Sequence, residues 1–429
     1  MLYYLHSLGC KVNSYETRAI EGSFLSRGYQ KAKSIEEANI ILINTCSVTS
    51  TADQKSRQHI RKFVRLAPKA VVIVMGCYSQ KHAQECIDDG AAIVLGTFKR
   101  GEILFALDSF LKDGVPLNLS INEGRKAHYE EFGSVAFGER TRGYLKIQDG
   151  CDNFCSYCLI PYLRGNSRSR EVNDTLAEAK RLVALGYGEI VLTGIHIGRY
   201  GFDLGDEAPH LSSLVRMILD SNPSLPRLRL GSLEESEIDE ELLGLLKDSE
   251  VLASHLHIPL QSGSDEVLRK MGRHYDTTKF LSVINRIKEA RPGIALTTDL
   301  IAGFPGESDE NWQETLRFVA KCGFADVHVF PFSAREGTRA ASFPEQVSPQ
   351  VKEKRVHEML ELAKILKKAY ETSLFGKALW VLPETYNEKT GLCIGHSSEY
   401  VEVSFRGKQE DVGQMSKVIF SPLNQQKQN

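Results

Sequence analysis

No apolar run in this 429-residue chain approaches the ~20 residues a helix needs to span a bilayer, so a helical membrane protein is excluded. Neither sign of charge dominates. The 53 Lys and Arg against 55 Asp and Glu leave a net charge of −2, which rules out a wholesale polycation and confines any nucleic-acid footprint to a local patch. Cysteine is sparse as well. Nine over this length are too few for a disulfide scaffold, and their clustering suggests metal in a reducing, cytoplasmic setting. Met1 to Cys10 lacks the basic start and apolar stretch of an export signal. What remains is an ordinary soluble balance, 25% charged and 42% apolar, with length enough for two or three domains and nothing that demands more than a monomer.

The most informative residues are Cys151, Cys155 and Cys158 in Gly150-Cys-Asp-Asn-Phe-Cys-Ser-Tyr-Cys158. Three thiolates in one short loop can hold three irons of a cubane 4Fe–4S cluster. No fourth cysteine lies nearby, so one iron stays open to an outside ligand. A structural zinc loop is the alternative. It normally brings four protein ligands, often as paired C-x2-C knuckles, and no such pair or nearby histidine completes the set here.

Upstream, residues 1–135 read as alternating strands and helices. Tyr3–Leu5, Ile40–Ile43 and Val71–Met75 are short apolar runs of the buried parallel type. Each is followed within a few residues by a cysteine: Cys10, Cys46 and Cys77, spaced 36 and 31 residues apart, about one βα unit each time. Ligands in open α/β sheets bind beyond the carboxyl ends of strands, so these thiolates can converge on a second cluster, again with an open iron. The plainer alternative is three small buried residues at strand ends. Asn13-Ser-Tyr-Glu16 has the form of a capping box opening the helix after Cys10. Cys86, Cys322 and Cys393 read as packing residues. On the expected helix 51–66, Arg57, Arg61 and Arg65 make a basic stripe, either a solvated face or a set of RNA phosphate contacts.

The C-x3-C-x2-C loop resembles the signature of the radical S-adenosylmethionine (SAM) enzymes. Leu8-Gly-Cys-Lys-Val-Asn-Ser-Tyr-Glu-Thr17, Asn44-Thr-Cys-Ser-Val-Thr49 and Gly76-Cys-Tyr78 resemble the amino-terminal domain of the methylthiotransferases within that family. The resemblance implies that Cys151, Cys155 and Cys158 hold the cluster at which SAM is cleaved to a 5′-deoxyadenosyl radical. It further implies that Cys10, Cys46 and Cys77 hold an auxiliary 4Fe–4S cluster delivering sulfur, and that a reductant protein such as a flavodoxin or ferredoxin is needed. The sulfur donor stays unidentified.

Residues 141–364 repeat strand then helix, which predicts a parallel sheet closed or nearly closed into a (β/α)6 partial barrel with the cluster loop at its carboxyl-terminal mouth. Asn122 to Arg142 has no clear period and marks the boundary. Thr193, Gly194, Gln261 and Asp299 fall at other strand ends, where turns are common; by the resemblance they hold SAM. Arg164, Arg168 and Arg170 follow the cluster loop, and Arg168 and Arg170 are expected to grip RNA phosphate. After a helix ending near Phe375, residues 366–429 alternate as a small β-barrel that resembles the RNA-binding TRAM domain, although its charge is mixed. The end, Gln425 to Asn429, is expected to fray.

The overall expectation is an α/β chain of three parts: an amino-terminal cluster domain, a radical SAM core and a TRAM-like domain. Leu8-Gly-Cys-Lys-Val-Asn13 is most similar to the branch that methylthiolates C2 of N6-threonylcarbamoyladenosine beside the tRNA anticodon. The other branches act on isopentenyladenosine in tRNA or on a ribosomal-protein aspartate. A non-catalytic iron–sulfur RNA-binding protein is the reading from another class, and a radical SAM enzyme of unrelated substrate is a third.

Overall fold

The computed structural model describes residues 1–121, 123–124, 127–132 and 141–425. Much of the expected boundary between residues 122 and 142, and the tail from 426 onward, lie outside the described residues.

The amino-terminal part is a six-stranded parallel sheet in the order Gln30–Lys31, Leu2–Ser7, Ile40–Thr45, Val71–Gly76, Ile93–Leu95, Leu117–Leu119. The continuous apolar runs are strands because both faces are covered: Ile40, Leu42 and Ile73 pack on one side, and Ile41, Ile43 and Val72 on the other. The helix Lys11–Ser26 begins directly after Cys10, which caps it without a side-chain hydrogen bond. Asn13 and Glu16 therefore do not form the expected capping box. They lie inside the helix, fully buried, because another part of the chain covers this turn.

The core has six parallel strands: Arg142–Lys146, Glu189–Thr193 and Leu228–Arg229, then His255–His257, Ala295–Ala302 and Asp326–Pro331. Single parallel bridges, Leu228 to Leu252 and Ser232 to His257, join the two trios into one partial barrel. Its apolar helices bury Leu182, Leu214, Leu242, Ile284 and Val319 against the strands. A short antiparallel clasp, Gln148–Asp149 against Arg168–Ser169, closes the base of the cysteine loop.

The long helix Pro349–Ser373 leads to a four-stranded antiparallel sheet. One of its strands, Leu392–Ser397, carries no clear alternation in the sequence. This sheet docks at the amino-terminal ends of the barrel strands, opposite the cysteines. Arg227 and Arg229 donate to the carbonyls of Trp380, His396, Ser397 and Ser398, all at 3.1 Å. Both guanidiniums, and Arg142, converge on buried Glu189. Burial alone would raise the Glu189 carboxyl, but the arginines pull it down to about 2. Stability from this group is thus full above an unfolded carboxylate pKa of about 4.3 and lost as pH falls toward 2. Glu189→Gln should lose about 3–5 kcal/mol, since it strands buried guanidiniums. Thermal unfolding across pH 2–7 should show the wild type's acid-side slope flattened in the variant.

Candidate active site

Two cysteine triads meet where the amino-terminal sheet caps the carboxyl-terminal mouth of the barrel. In the first, Cys10, Cys46 and Cys77 follow three adjacent strands, and their loops crowd together. At Gly9 (φ +90°) a Cβ would fall 2.7 Å from Cys46 Sγ, and at Gly76 (φ +107°) 2.4 Å from the Thr45 carbonyl, so both turns require glycine. Asn13 Nδ2 knots the loops by donating to Leu8 O at 2.8 Å and Thr45 O at 3.0 Å. Cys10 is exposed while Cys46 and Cys77 are buried. Burial, opposed by Arg164, pushes the Cys77 thiol up to about 11, with Cys46 and Cys10 adding to the rise.

In the second triad every sulfur receives an N–H. Asn153 N donates to Cys151 Sγ at 3.5 Å, Ile160 N to Cys158 Sγ at 3.4 Å and Arg273 Nη1 to Cys155 Sγ at 3.4 Å. His196 Nδ1 adds a 3.6 Å contact to Cys151. Burial would lower His196, but its hydrogen bonds to Cys151 and Glu237 raise it to about 10. The loop is held from several sides. Ser156 N donates to Met271 O and Ala340 N to Ser156 O, each at 2.8 Å, and Gly150 (φ +72°) passes where a Cβ would lie 1.8 Å from Asn166 O. Phe154 takes the left-handed conformation, φ +46°, uncommon for an aromatic residue.

This donor set fits iron–sulfur clusters better than single ions. A zinc site would bring its sulfurs to ~2.3 Å from one point. Among the described residues no three Cys, His, Asp or Glu are gathered to hold one metal ion. A cubane instead takes each thiolate on a separate iron, and N–H donors directed at sulfur suit that anionic assembly.

The triads are neighbours. The helix Ile160–Arg164 follows Cys158, and Leu159 and Leu163 pack against Cys77. Across the junction Ser50 N donates to Ser333 Oγ at 3.2 Å, Lys81 Nζ to Glu336 O at 2.9 Å and Arg335 Nη2 to Ser47 Oγ at 2.9 Å. A cavity of about 700 Å3 opens beside Cys155, lined by Asp152, His196, Glu234, Glu237, Arg273 and Tyr275 among others. Such a volume lies in the ~300–1,000 Å3 range that accepts small molecules. His196, Glu234 and Arg273 carry no motif of their own. The only signal for the first two is their place in loops just after strands.

The other expected residues divide. Thr193 is buried at its strand end, and Gly194 packs so closely that a Cβ would meet Ile197 at 2.8 Å and Gln148 O at 2.9 Å. Gln261, at φ +67°, donates its N–H to Asp299 O at 2.8 Å, and Asp299 pairs with His257 at 3.3 Å. None of the four lines the cavity beside Cys155. Arg57 and Arg61 share Asp89, each at 2.8 Å, on a partly exposed face, and Arg65 is exposed.

Arg168 and Arg170 overturn the expectation of a phosphate grip. They are 2% and 4% exposed. Arg168 pairs with Asp149 at 3.2 Å, and Arg170 pairs with Glu131 at 3.0 Å. The antiparallel clasp and the overlying amino-terminal domain bury them, so their charge is used internally.

The barrel, its cysteine loop and the cavity against that loop define a radical SAM enzyme. Matching family models agree: residues 2–96 fit the uncharacterized protein family UPF0004, and residues 145–319 fit the radical SAM superfamily. The threonylcarbamoyladenosine tRNA methylthiotransferase MtaB of Bacillus subtilis (strain 168) is 41% identical over 417 residues, covering 96% of this chain and 92% of that one. The MtaB of Aquifex aeolicus (strain VF5) is 33% identical over 414 residues, covering 96% and 98%. The tRNA-2-methylthio-N(6)-dimethylallyladenosine synthase of Bacillus subtilis (strain 168) is 31% identical over 429 residues, covering 97% and 82%. Among solved structures, the radical SAM methyltransferase TsrM of Kitasatospora setae, with cobalamin and a 4Fe–4S cluster bound, superposes with a TM-score of 0.59. At 16% identity, covering 79% of this chain and 77% of that one, it supports the fold alone. The chain belongs to the radical SAM methylthiotransferase family, transferases that use SAM and a 4Fe–4S cluster together with an additional cluster.

Proposed function

We propose that the protein transfers a methylthio group to C2 of N6-threonylcarbamoyladenosine beside the anticodon of tRNA. The observation that carries this reading is the adjacency of the triads: the helix leaving the Cys151–Cys158 loop rests on Cys77, so one substrate atom can be served by both. The substrate choice is supported by the two Bacillus subtilis relatives, 41% identical for the threonylcarbamoyl enzyme and 31% for the dimethylallyl one. When bound, SAM and the two clusters supply the adenosyl radical and the sulfur.

This chain's own residues bind and orient. Cys151, Cys155 and Cys158 hold the radical cluster, with Arg273 and the backbone N–H groups of Asn153 and Ile160 fixing the thiolates. Glu234, Glu237 and Asp152 line the cavity wall and would offer acceptors to SAM there. Gln261, joined to Asp299 of the strand Ala295–Ala302, and Thr193-Gly194, just before His196, belong to the wider barrel and not to that cavity wall. Exposed Cys10 leaves the Cys10, Cys46 and Cys77 triad open toward substrate.

RNA is gripped by exposed groups. The Arg57, Arg61 and Arg65 helix supplies cations, and Phe154 and Tyr162, 40% and 46% exposed, form an edge-to-face pair 5.6 Å apart at the lip of the cluster loop. Stacking a base on an aromatic side chain is worth ~1–3 kcal/mol. Phe154→Ala with Tyr162→Ala should therefore weaken tRNA binding by roughly tenfold or more at fixed salt, read by filter binding, while leaving iron content unchanged. A flavodoxin or ferredoxin supplies electrons to a monomer in the cytoplasm. No helix among the described residues is long and apolar enough to cross a membrane.

Mass spectrometry of tRNA nucleosides tests the proposal. Cells lacking the gene should accumulate N6-threonylcarbamoyladenosine without its 2-methylthio derivative, and the gene should restore it. Loss of the 2-methylthio isopentenyladenosine instead would reassign the substrate.

A further inference from the structure

A buried ion network joins the two triads, and it is not balanced. Among the described residues, Arg100, Lys146, Arg164 and Arg168 surround two fully buried carboxylates, Glu16 and Asp149, with Glu130 at the rim. Buried charge without a partner is costly, so this excess of cations calls for an anion close by. Arg164 is the member nearest the thiols. Its Nη1 donates to Glu16 Oε1 at 2.9 Å and Asp149 Oδ1 at 3.0 Å, and its Nη2 donates to Asn13 Oδ1 at 2.9 Å. Asn13 is the residue that ties the Cys10 and Cys46 loops together. Leu163, the residue before Arg164, packs on Cys77, and the Arg164 charge opposes the rise that burial imposes on that thiol, while the buried Arg164 Nε has no partner among the described residues.

We propose that Arg164 is a positioning residue for the cluster at Cys10, Cys46 and Cys77, supplying a positive charge and an N–H to its sulfur from the helix that follows the radical-cluster loop. The inference rests on the two-cluster reading above. Hydrogen bonds to sulfur are among the factors that set the potential of an iron–sulfur cluster, and a cation favours the more negative, reduced form. Arg164 thereby ties the potential of the sulfur-bearing site to the seating of the other cluster's loop. Glu16 and Asp149 hold the guanidinium in place from the two domains.

The test uses the full-length chain with Cys151→Ala, Cys155→Ala and Cys158→Ala, so that only one cluster forms on anaerobic reconstitution. EPR-monitored redox titration then compares Arg164, Arg164→Lys and Arg164→Gln. Loss of the donor and charge should disfavour the reduced cluster by roughly tenfold, which is a shift of ~59 mV to lower potential for a one-electron couple. Arg164→Lys, keeping charge but not the fork, should fall between. Equal potentials in all three overturn the inference. Where Arg164→Gln fails to fold, the native residue still answers. Pulsed EPR of the reduced cluster in protein labelled with 15N-arginine should show a nitrogen coupling, and its absence overturns the proposal. A triple-alanine protein that binds no iron overturns the two-cluster reading and this inference with it, whereas iron bound at unchanged potential overturns this inference alone.

Discussion

Cys155→Ala is expected to abolish reductive cleavage of SAM while leaving the amino-terminal cluster in place. Cys155 is buried, receives Arg273 Nη1 at 3.4 Å and borders the 700 Å3 cavity, so its loss removes one anchor and opens the cavity wall. Among the described residues, a cubane held by two thiolates in this loop has no further cysteine of its own to recruit. His196 is engaged by Glu237 and Cys151, and Arg273 cannot coordinate because guanidinium has no lone pair to offer. Iron should drop from about eight to about four per chain, with sulfide in parallel. Formation of 5′-deoxyadenosine under dithionite should fall to background. Cys151→Ala and Cys158→Ala should behave alike, since each sulfur has its own N–H donor and none is redundant. A variant that still cleaves SAM would show that the loop is not the electron source. A wild-type protein that loads both clusters but forms no 5′-deoxyadenosine would leave the non-catalytic RNA-binding reading standing.

The strands that carry the cysteines were readable because each is a continuous apolar run in a two-sided parallel sheet. Val71–Met75 and Ile40–Ile43 could be little else, and the structure extends them only to Gly76 and Thr45. What could not be read was which polar residues the packing of one domain on another would bury. Asn13 and Glu16 have cap spacing, and on an isolated helix that is their usual role. Here Lys146 and Arg164, well over 100 positions away, cover that turn and convert the pair into an interior hub. The same burial removes Arg168 and Arg170 from the surface, although short polar loops near an active site ordinarily expose arginine. His196, Glu234 and Arg273 were illegible for the complementary reason. Each is a single polar residue in an unremarkable loop, and only the closing of the barrel brings them to one cavity. Periodicity reports the face of an element; it carries nothing about what arrives on that face from far along the chain.

Cys46→Ala should separate the two chemistries. Cys46 lies just after the strand Ile40–Thr45, outside the Cys151–Cys158 loop, and its backbone N–H is held by Ser56 Oγ at 3.2 Å, while Ser56 Oγ donates back to Cys46 O at 3.0 Å. That reciprocal pair involves no sulfur, so alanine should preserve the loop. Removing a mostly buried thiol costs stability only modestly, about 1 kcal/mol for a small core truncation. The contacts that seat the radical-cluster loop, from Met271, Ala340 and Gly165, are likewise untouched. Cleavage of SAM should thus continue at a rate close to wild type, now uncoupled from product. Liquid chromatography of reactions with tRNA should show 5′-deoxyadenosine accumulating with no 2-methylthio nucleoside, and about four irons retained. Cys77→Ala should give the same pattern with a larger loss of stability, because Leu159 and Leu163 pack directly on that side chain. Product formed without Cys46 would place the sulfur source elsewhere and remove the reason for two triads to meet at one junction.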